Sequence, residues 1–240
     1  MKHVFLTSSL DCCYKENDIV IAKPINNVNK VIDQIKEKLD NENNFLFLCS
    51  SSDNYEKNDS YANITFKSFN MSGFNFKKLI KVDDRYTGNL DEDIKNASLI
   101  FLSGGHTPTE MKFFDKINLK ERLKNYSGVI IGQSAGSINL AKTVVCAPEY
   151  EEEIGTEYVW EGLGQTDINI EPHFILNVGE EYKKLREELL KLSEQYKIYA
   201  ICDGSHIYDD GINKTLYGEA YLIDNRNIEK ICNSGKNIRL

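Results

Sequence analysis

The residues best able to do chemistry stand at 132–136, Gly-Gln-Ser-Ala-Gly, a G-x-S-x-G pattern. A serine hydroxyl becomes a useful nucleophile when a base takes its proton and a third group orients that base. The flanks give the pattern its meaning. The apolar run Val129, Ile130 and Ile131 stops at Gly132, and a helix-compatible segment begins just past Ser134. A serine on so tight a strand-to-helix turn crowds the backbone two residues to either side, so glycine at 132 and 136 removes Cβ clashes. The turn also leaves the N–H of Ala135 at a helix N-terminus, aimed where an oxyanion could form. A plain turn with Ser134 as helix N-cap accounts for the same five residues. Other stretches have to decide between the two.

Leu99-Ile100-Phe101-Leu102 is a second apolar strand, running into Ser103-Gly104-Gly105-His106-Thr107-Pro108. Pro108 suits the first turn of a helix, and paired glycines let backbone N–H groups approach a ligand. Gly105 and Ala135 could together form a two-donor oxyanion hole; the alternative is a glycine turn that merely closes a strand. Four histidines are available as the base. His3 opens the first strand, away from any strand's carboxyl end. His106 follows the glycine pair and could line a site. His206 lies beyond the Asp203-Gly204 turn, and His173 follows Pro172 at the end of Ile168–Ile170. Among acids, Asp203 ends the strand pattern Ile198–Cys202. Glu149 belongs to the charge run Glu149–Glu153, a pattern more typical of a solvated face.

Four segments taken together carry a family resemblance. They are Ser-Gly-Gly-His-Thr at 103–107, Gly-Gln-Ser-Ala-Gly-Ser at 132–137, Glu-Pro-His-Phe at 171–174 and Cys-Asp-Gly-Ser at 202–205. In order and separation they resemble the S51 serine peptidases, the group of aspartyl dipeptidase (peptidase E) and cyanophycinase. The resemblance implies a flavodoxin-like, class I glutamine amidotransferase-like fold with Ser134 as nucleophile and His173 as base. It implies Asp203 as third member, in place of the glutamate of peptidase E, with Glu149 as an alternative acid aligned with a family aspartate. Arg186 lies in the helix from which peptidase E holds an N-terminal aspartate; surface i,i+4 pairing is its other reading. His106 stands where the family usually has asparagine, and Gln133 where peptidase E commonly has tryptophan.

The elements that must position these residues follow from hydrophobic patterning. Strands are expected at His3–Ser8, Phe45–Cys49, Lys78–Val82, 99–102, 129–131 and Ile198–Cys202. Helices are expected through Val28–Leu39, Asp59–Phe74 (packed by Tyr61, Ile64, Phe66 and Phe69), Met111–Ile117, Leu119–Tyr126 and Val178–Tyr196. This alternation predicts an α/β fold, a mostly parallel sheet with helices on both faces, whose site forms at the strands' carboxyl ends. Residues 217–223 and 229–232 suggest antiparallel strands at a sheet edge near the C-terminus. The acidic stretch Pro148–Asp167, with Tyr150, Tyr158 and Trp160, is expected as an irregular, hairpin-bearing loop overhanging the site.

The 240 residues, 41% hydrophobic and without linker or repeat, suit one domain over 1–240. A net charge of −8 argues against a nucleic-acid surface. Six cysteines without C-x-x-C or zinc spacing read as reduced thiols. The chain shows neither a signal peptide nor a bilayer-length apolar run, so a cytoplasmic location is expected. The leading expectation is a serine peptidase acting on short peptides, dipeptidase-like, with no metal or organic cofactor. An amidase or glutaminase-type hydrolase, which ordinarily uses cysteine, is the second enzyme class. A non-catalytic small-molecule or peptide-binding protein on the same scaffold is the alternative outside enzymology.

Overall fold

The computed structural model describes residues 1–17 and 19–240. The chain begins with β1 (Lys2–Thr7) and an antiparallel pair, β2 (Cys13–Glu16) and β3 (Ile19–Ala22). Alternation then sets in with α1 (Val31–Lys38), β4 (Asn44–Leu48), α2 (Tyr55–Met71), β5 (Lys78–Val82), α3 (Leu90–Lys95) and β6 (Leu99–Leu102). It continues through α4 (Thr107–Lys116), α5 (Leu119–Leu123), β7 (Gly128–Gln133) and α6 (Ala135–Asn139). The second part holds β8 (Thr143–Val145), β9 (Val159–Glu161), β10 (Asn169–Glu171), α7 (Lys183–Leu192) and β11 (Ile198–Ile201). Five strands close the chain: β12 (His206–Asp209), β13 (Lys214–Tyr217), β14 (Ala220–Asp224), β15 (Asn227–Cys232) and β16 (Asn237–Arg239).

Eight strands form the central sheet in the order β16-β13-β12-β1-β7-β6-β4-β5. From β1 to β5 all neighbours are parallel, and β12, β13 and β16 add an antiparallel edge. The parallel strands read as unbroken apolar runs because helices cover both of their faces. Period-two alternation divides the side chains. Phe5, Phe45, Phe47, Phe101 and Ile131 pack with Ile32, Ile35 and Phe69 of α1 and α2. Val4, Leu6, Leu46, Leu102 and Ile130 pack on the other side with Met111, Phe114, Leu119 and Leu123 of α4 and α5. The expected α/β fold is the observed one.

The C-terminal part departs from expectation in one respect that matters for the site. Residues 217–223 and 229–232 do not all lie at the edge of the central sheet. The strands β14 and β15 join β10 and β11 in a separate sheet, ordered β10-β11-β14-β15. Gly218, at φ +96°, turns the chain out of the central sheet between β13 and β14, a backbone state that glycine adopts without Cβ strain. A third apolar cluster fastens α7 to this sheet through Leu189, Ile198, Ala200, Tyr221 and Ile223.

Helix limits differ too. α2 begins at Tyr55, behind an Asn54 side chain that accepts from the Lys57 N–H, and its buried face is Ala62, Thr65, Ser68 and Phe69. Tyr61, expected in the core, is 46% exposed. Val28 likewise lies outside α1 and exposed, and Val178–Tyr196 is a 3₁₀ turn at Glu180–Tyr182 followed by α7. Tyr61 lies between the buried Asn58 and Ala62 and so falls beside the buried stripe of α2, while Val28 precedes the first residue of α1.

Candidate active site

Ser134 sits between β7 and α6 with φ 51° and ψ −117°, a conformation costly for a residue with a Cβ. Close packing explains both flanking glycines. A Cβ on Gly132 would lie 2.5 Å from the backbone N of Ser137, and one on Gly136 would lie 2.4 Å from the carbonyl oxygen of Leu102. The turn is bolted to β1 by hydrogen bonds. Ser134 N–H donates to the Thr7 carbonyl at 2.9 Å. Ser137 Oγ accepts from Thr7 N–H at 2.8 Å and donates to the Thr7 carbonyl at 2.9 Å. Ser134 occupies the N-cap position of α6, yet its side chain caps nothing. Its Oγ instead lies 3.0 Å from His173 Nε2.

The partner residues come from the second sheet. β10 and β11 run parallel with Glu171 opposite Ala200, so their carboxyl ends lie side by side. His173 and Asp203 each follow two residues after their strand ends, and His173 Nδ1 meets Asp203 Oδ1 at 2.7 Å. A carboxylate can only accept, so Nδ1 carries the proton and Nε2 is left to accept from Ser134. The hydrogen bond that His173 donates to Asp203, opposed by burial and reinforced by the charges of Asp203, Glu171 and Glu149, holds the His173 imidazole above its ordinary range. The same bond, with help from Ser8 and against burial, holds the Asp203 carboxyl below its ordinary range.

Ser134 and His173 open onto a cleft of about 370 Å³ that also takes in Glu149, Glu171, Phe174 and Arg186. Among the described residues Arg186 makes no i,i+4 ion pair. Its guanidinium lies 4.4 Å from the centre of the Phe174 ring, and Nη2 donates to the Ile175 carbonyl at 2.6 Å. Burial pushes the Glu171 carboxyl up to about 7, with Arg186 pulling the other way. Burial also raises the Glu149 carboxyl, so Glu149 is not simply a member of a solvated run. The His173 Nδ1 position is nonetheless taken by Asp203, and Glu149 acts on the imidazole through its charge.

Gly104 packs against the turn that carries Ser134, where a Cβ would stand 3.2 Å from Ser134 Cβ. Gly105 packs against Ser50, with room for no side chain: a Cβ would meet Ser50 Oγ at 2.5 Å. Among the described residues no group accepts from the N–H of Gly105 or of Ala135. His106 lines a neighbouring cleft of about 510 Å³ and not the one holding Ser134. Its ring is engaged by Thr109 Oγ1 at 2.7 Å and Glu153 Oε1 at 2.9 Å. The stretch 148–167 does carry one strand of a hairpin, β9, which pairs with β8, and Pro148 and Glu149 form the ridge between the two clefts. Tyr158 and Trp160 face the neighbouring cleft.

Residues 22–216 match peptidase family S51. The chain belongs to that family. This S51 peptidase is therefore a serine-type hydrolase, and its substrate class is peptides. Solved structures agree in fold. A peptidase from an acI-B1 Actinobacterium superposes with a TM-score of 0.65 at 16% identity, covering 100% of this chain and 97% of its own. A proposed peptidase E protein from Listeria monocytogenes EGD-e gives 0.60 at 16% identity, covering 97% of this chain and 100% of its own. No curated protein matches the sequence.

In this S51 peptidase, one residue at the site carries no sequence motif. Ser8 Oγ accepts from His173 N–H at 2.7 Å and donates to Asp203 Oδ1 at 2.8 Å. The available signal was positional: Ser8 directly follows the apolar strand β1, at the carboxyl end where such sheets build their sites. Among the described residues no group of three or more His, Cys, Asp or Glu is placed to hold a metal ion. Among them, too, no helix is long and apolar enough to cross a membrane.

Proposed function

We propose that the protein cleaves short peptides with a free N-terminus through a Ser134–His173–Asp203 triad. The observation that carries this reading is the unbroken line from Ser134 Oγ through the His173 ring to Asp203, at 3.0 and 2.7 Å. His173 Nε2 takes the Ser134 proton as Oγ attacks the scissile carbonyl carbon. The carbonyl π electrons move to oxygen, and the N–H groups of Ala135 and Gly105 receive the resulting oxyanion. Collapse re-forms the carbonyl and breaks the C–N bond, with His173 giving its proton to the leaving amine. Water, deprotonated by His173, then releases the acyl group from Ser134. Asp203 fixes the tautomer and stabilises the imidazolium throughout.

The same geometry favours this reading over a binding-only role, which needs no hydrogen bond between Ser134 and His173. Preference for short chains draws support from the ridge at Pro148 and Glu149, which bounds the cleft. Glu149 and Glu171 offer carboxyl groups to the ammonium of a free N-terminus. Arg186, in the same cleft, offers a counter-charge to an acidic first side chain, offset by Glu171. The test compares dipeptides with their N-acetylated forms and with casein, a long unstructured chain. Loss of cleavage on acetylation is expected; rapid casein digestion would contradict the size limit.

A further inference from the structure

The nucleophile and its partners belong to different sheets. Ser134 rides on β7 of the central sheet, while His173 and Asp203 ride on β10 and β11 of the second. Any slip between the sheets changes the 3.0 Å contact on which proton transfer depends. β1 is the strand beside β7, paired with it through Thr7 and Gln133, and Ser8 is the residue that follows. Ser8 is fully buried at 0% exposure, so water cannot take over its hydrogen bonds.

We propose that Ser8 is a positioning residue, whose hydroxyl locks the His173–Asp203 pair to the sheet that carries Ser134. The inference rests on the triad reading above. Its two bonds act on different degrees of freedom. Accepting from His173 N–H at 2.7 Å pins the backbone of a residue held at φ 55°. Donating to Asp203 Oδ1 at 2.8 Å fixes the rotamer of a carboxylate whose side chain is 59% exposed. Among the described residues that carboxylate accepts only from Ser8 and His173. Without Ser8, nothing on the central sheet stops Asp203 from turning into water. Backbone bonds also tie the joint, from Ser8 N–H to the Ser205 carbonyl at 3.4 Å and from Gly204 N–H to the Ser9 carbonyl at 3.0 Å. They hold the loop but touch neither the imidazole nor the carboxylate.

The test uses Ser8→Ala together with the near-isosteric pair Ser8→Thr and Ser8→Val, which differ only in the hydroxyl. Ser8→Ala should lower kcat by about 10- to 100-fold, the effect of a small misplacement of reacting groups, with KM little changed. Ser8→Thr should retain much more activity than Ser8→Val. A second readout needs no turnover: the His173 pKa followed by NMR. The groups facing this imidazole are Asp203, Glu171 and Glu149, and the Asp203 hydrogen bond contributes most to its elevation. Loosening that bond in Ser8→Ala should lower the His173 pKa toward its ordinary value. A folded Ser8→Ala enzyme with kcat within about twofold of wild type, or a His173 pKa that stays or rises, would overturn the proposal. Failure of the triad reading shows separately, as undiminished turnover by Ser134→Ala.

Discussion

His173 and Asp203 leave neighbouring parallel strands at the same end, each two residues past its strand, and meet at 2.7 Å between Nδ1 and Oδ1. Parallel pairing makes this contact almost unavoidable, since it brings the two carboxyl ends together whatever the intervening chain does. The His173–Asp203 contact therefore follows from strand register. Asp203→Asn should cut kcat by about 10⁴-fold, because an amide can stabilise the wrong imidazole tautomer. Glu149→Gln removes a charge near the imidazole but leaves the Nδ1 bond to Asp203 in place, and should cost far less. Steady-state kinetics on one dipeptide compares the two, and a reversed order would move the triad to Glu149.

The pH profile has a definite sign. The base must be neutral to accept the Ser134 proton, so kcat/KM rises as pH rises through the His173 pKa. Asp203, Glu171 and Glu149 raise that pKa, placing the acid limb above the ordinary imidazole value of about 6.5. Glu171→Gln removes one of these charges and should shift the limb to lower pH. An unmoved limb would show that Glu171 does not act on His173.

Glu171 also links stability to pH. Burial raises its carboxyl to about 7 in the folded protein, against an unfolded value of about 4.3. Between those values the folded state binds more protons, so stability falls as pH rises through this window. Glu171→Gln should flatten that fall, and Tm should exceed wild type above neutral pH. Thermal melts at about pH 5 and about pH 8, either side of most of that window, measure it. An equal slope in both proteins would contradict the assignment.

The glycines of the nucleophile turn give a packing prediction. Gly136→Ala would drive a Cβ to 2.4 Å from the Leu102 carbonyl oxygen, a backbone atom of β6 that cannot step aside. A loss of about 1–3 kcal/mol or more is expected, with activity falling beyond the stability effect as Ser134 is displaced. At Gly155 a Cβ would meet nothing within 4 Å, but φ is +92°, so Gly155→Ala should show only the milder cost of backbone strain. Chemical denaturation of the two variants gives the comparison.

Much of this was legible in the sequence because it rests on short-range rules. Apolar runs ending in glycine marked β6 and β7, and the carboxyl-end rule placed Gly105 and Ser134 near one another. The motifs pointed to Ser134, His173 and Asp203 (with Glu149 as the other acid), and the structure joins the first three by hydrogen bonds. What the sequence could not reveal was that His173 and Asp203 stand on a second sheet, since pairing of β11 with β10 and β14 depends on which strands the chain brings together after Gly218. Ser8 gave only a positional signal for the same reason: a lone serine after a strand acquires a role only through residues 165 and 195 positions away. Tyr61 misled because apolar spacing alone does not fix which stripe of a helix the sheet covers: Asn58 and Ala62 beside it are buried while it is exposed.

The central claim is that Ser134, driven by His173, hydrolyses short peptides. Incubating purified wild-type protein and Ser134→Ala with a library of dipeptides and tripeptides, and reading products by mass spectrometry, tests it most directly. Wild type should release the first residue or residues from a subset of free-N-terminus peptides. Ser134→Ala, folded by circular dichroism, should be slower by about 10⁶-fold, as when a triad loses its nucleophile. Cleavage by Ser134→Ala at the wild-type rate would contradict the account.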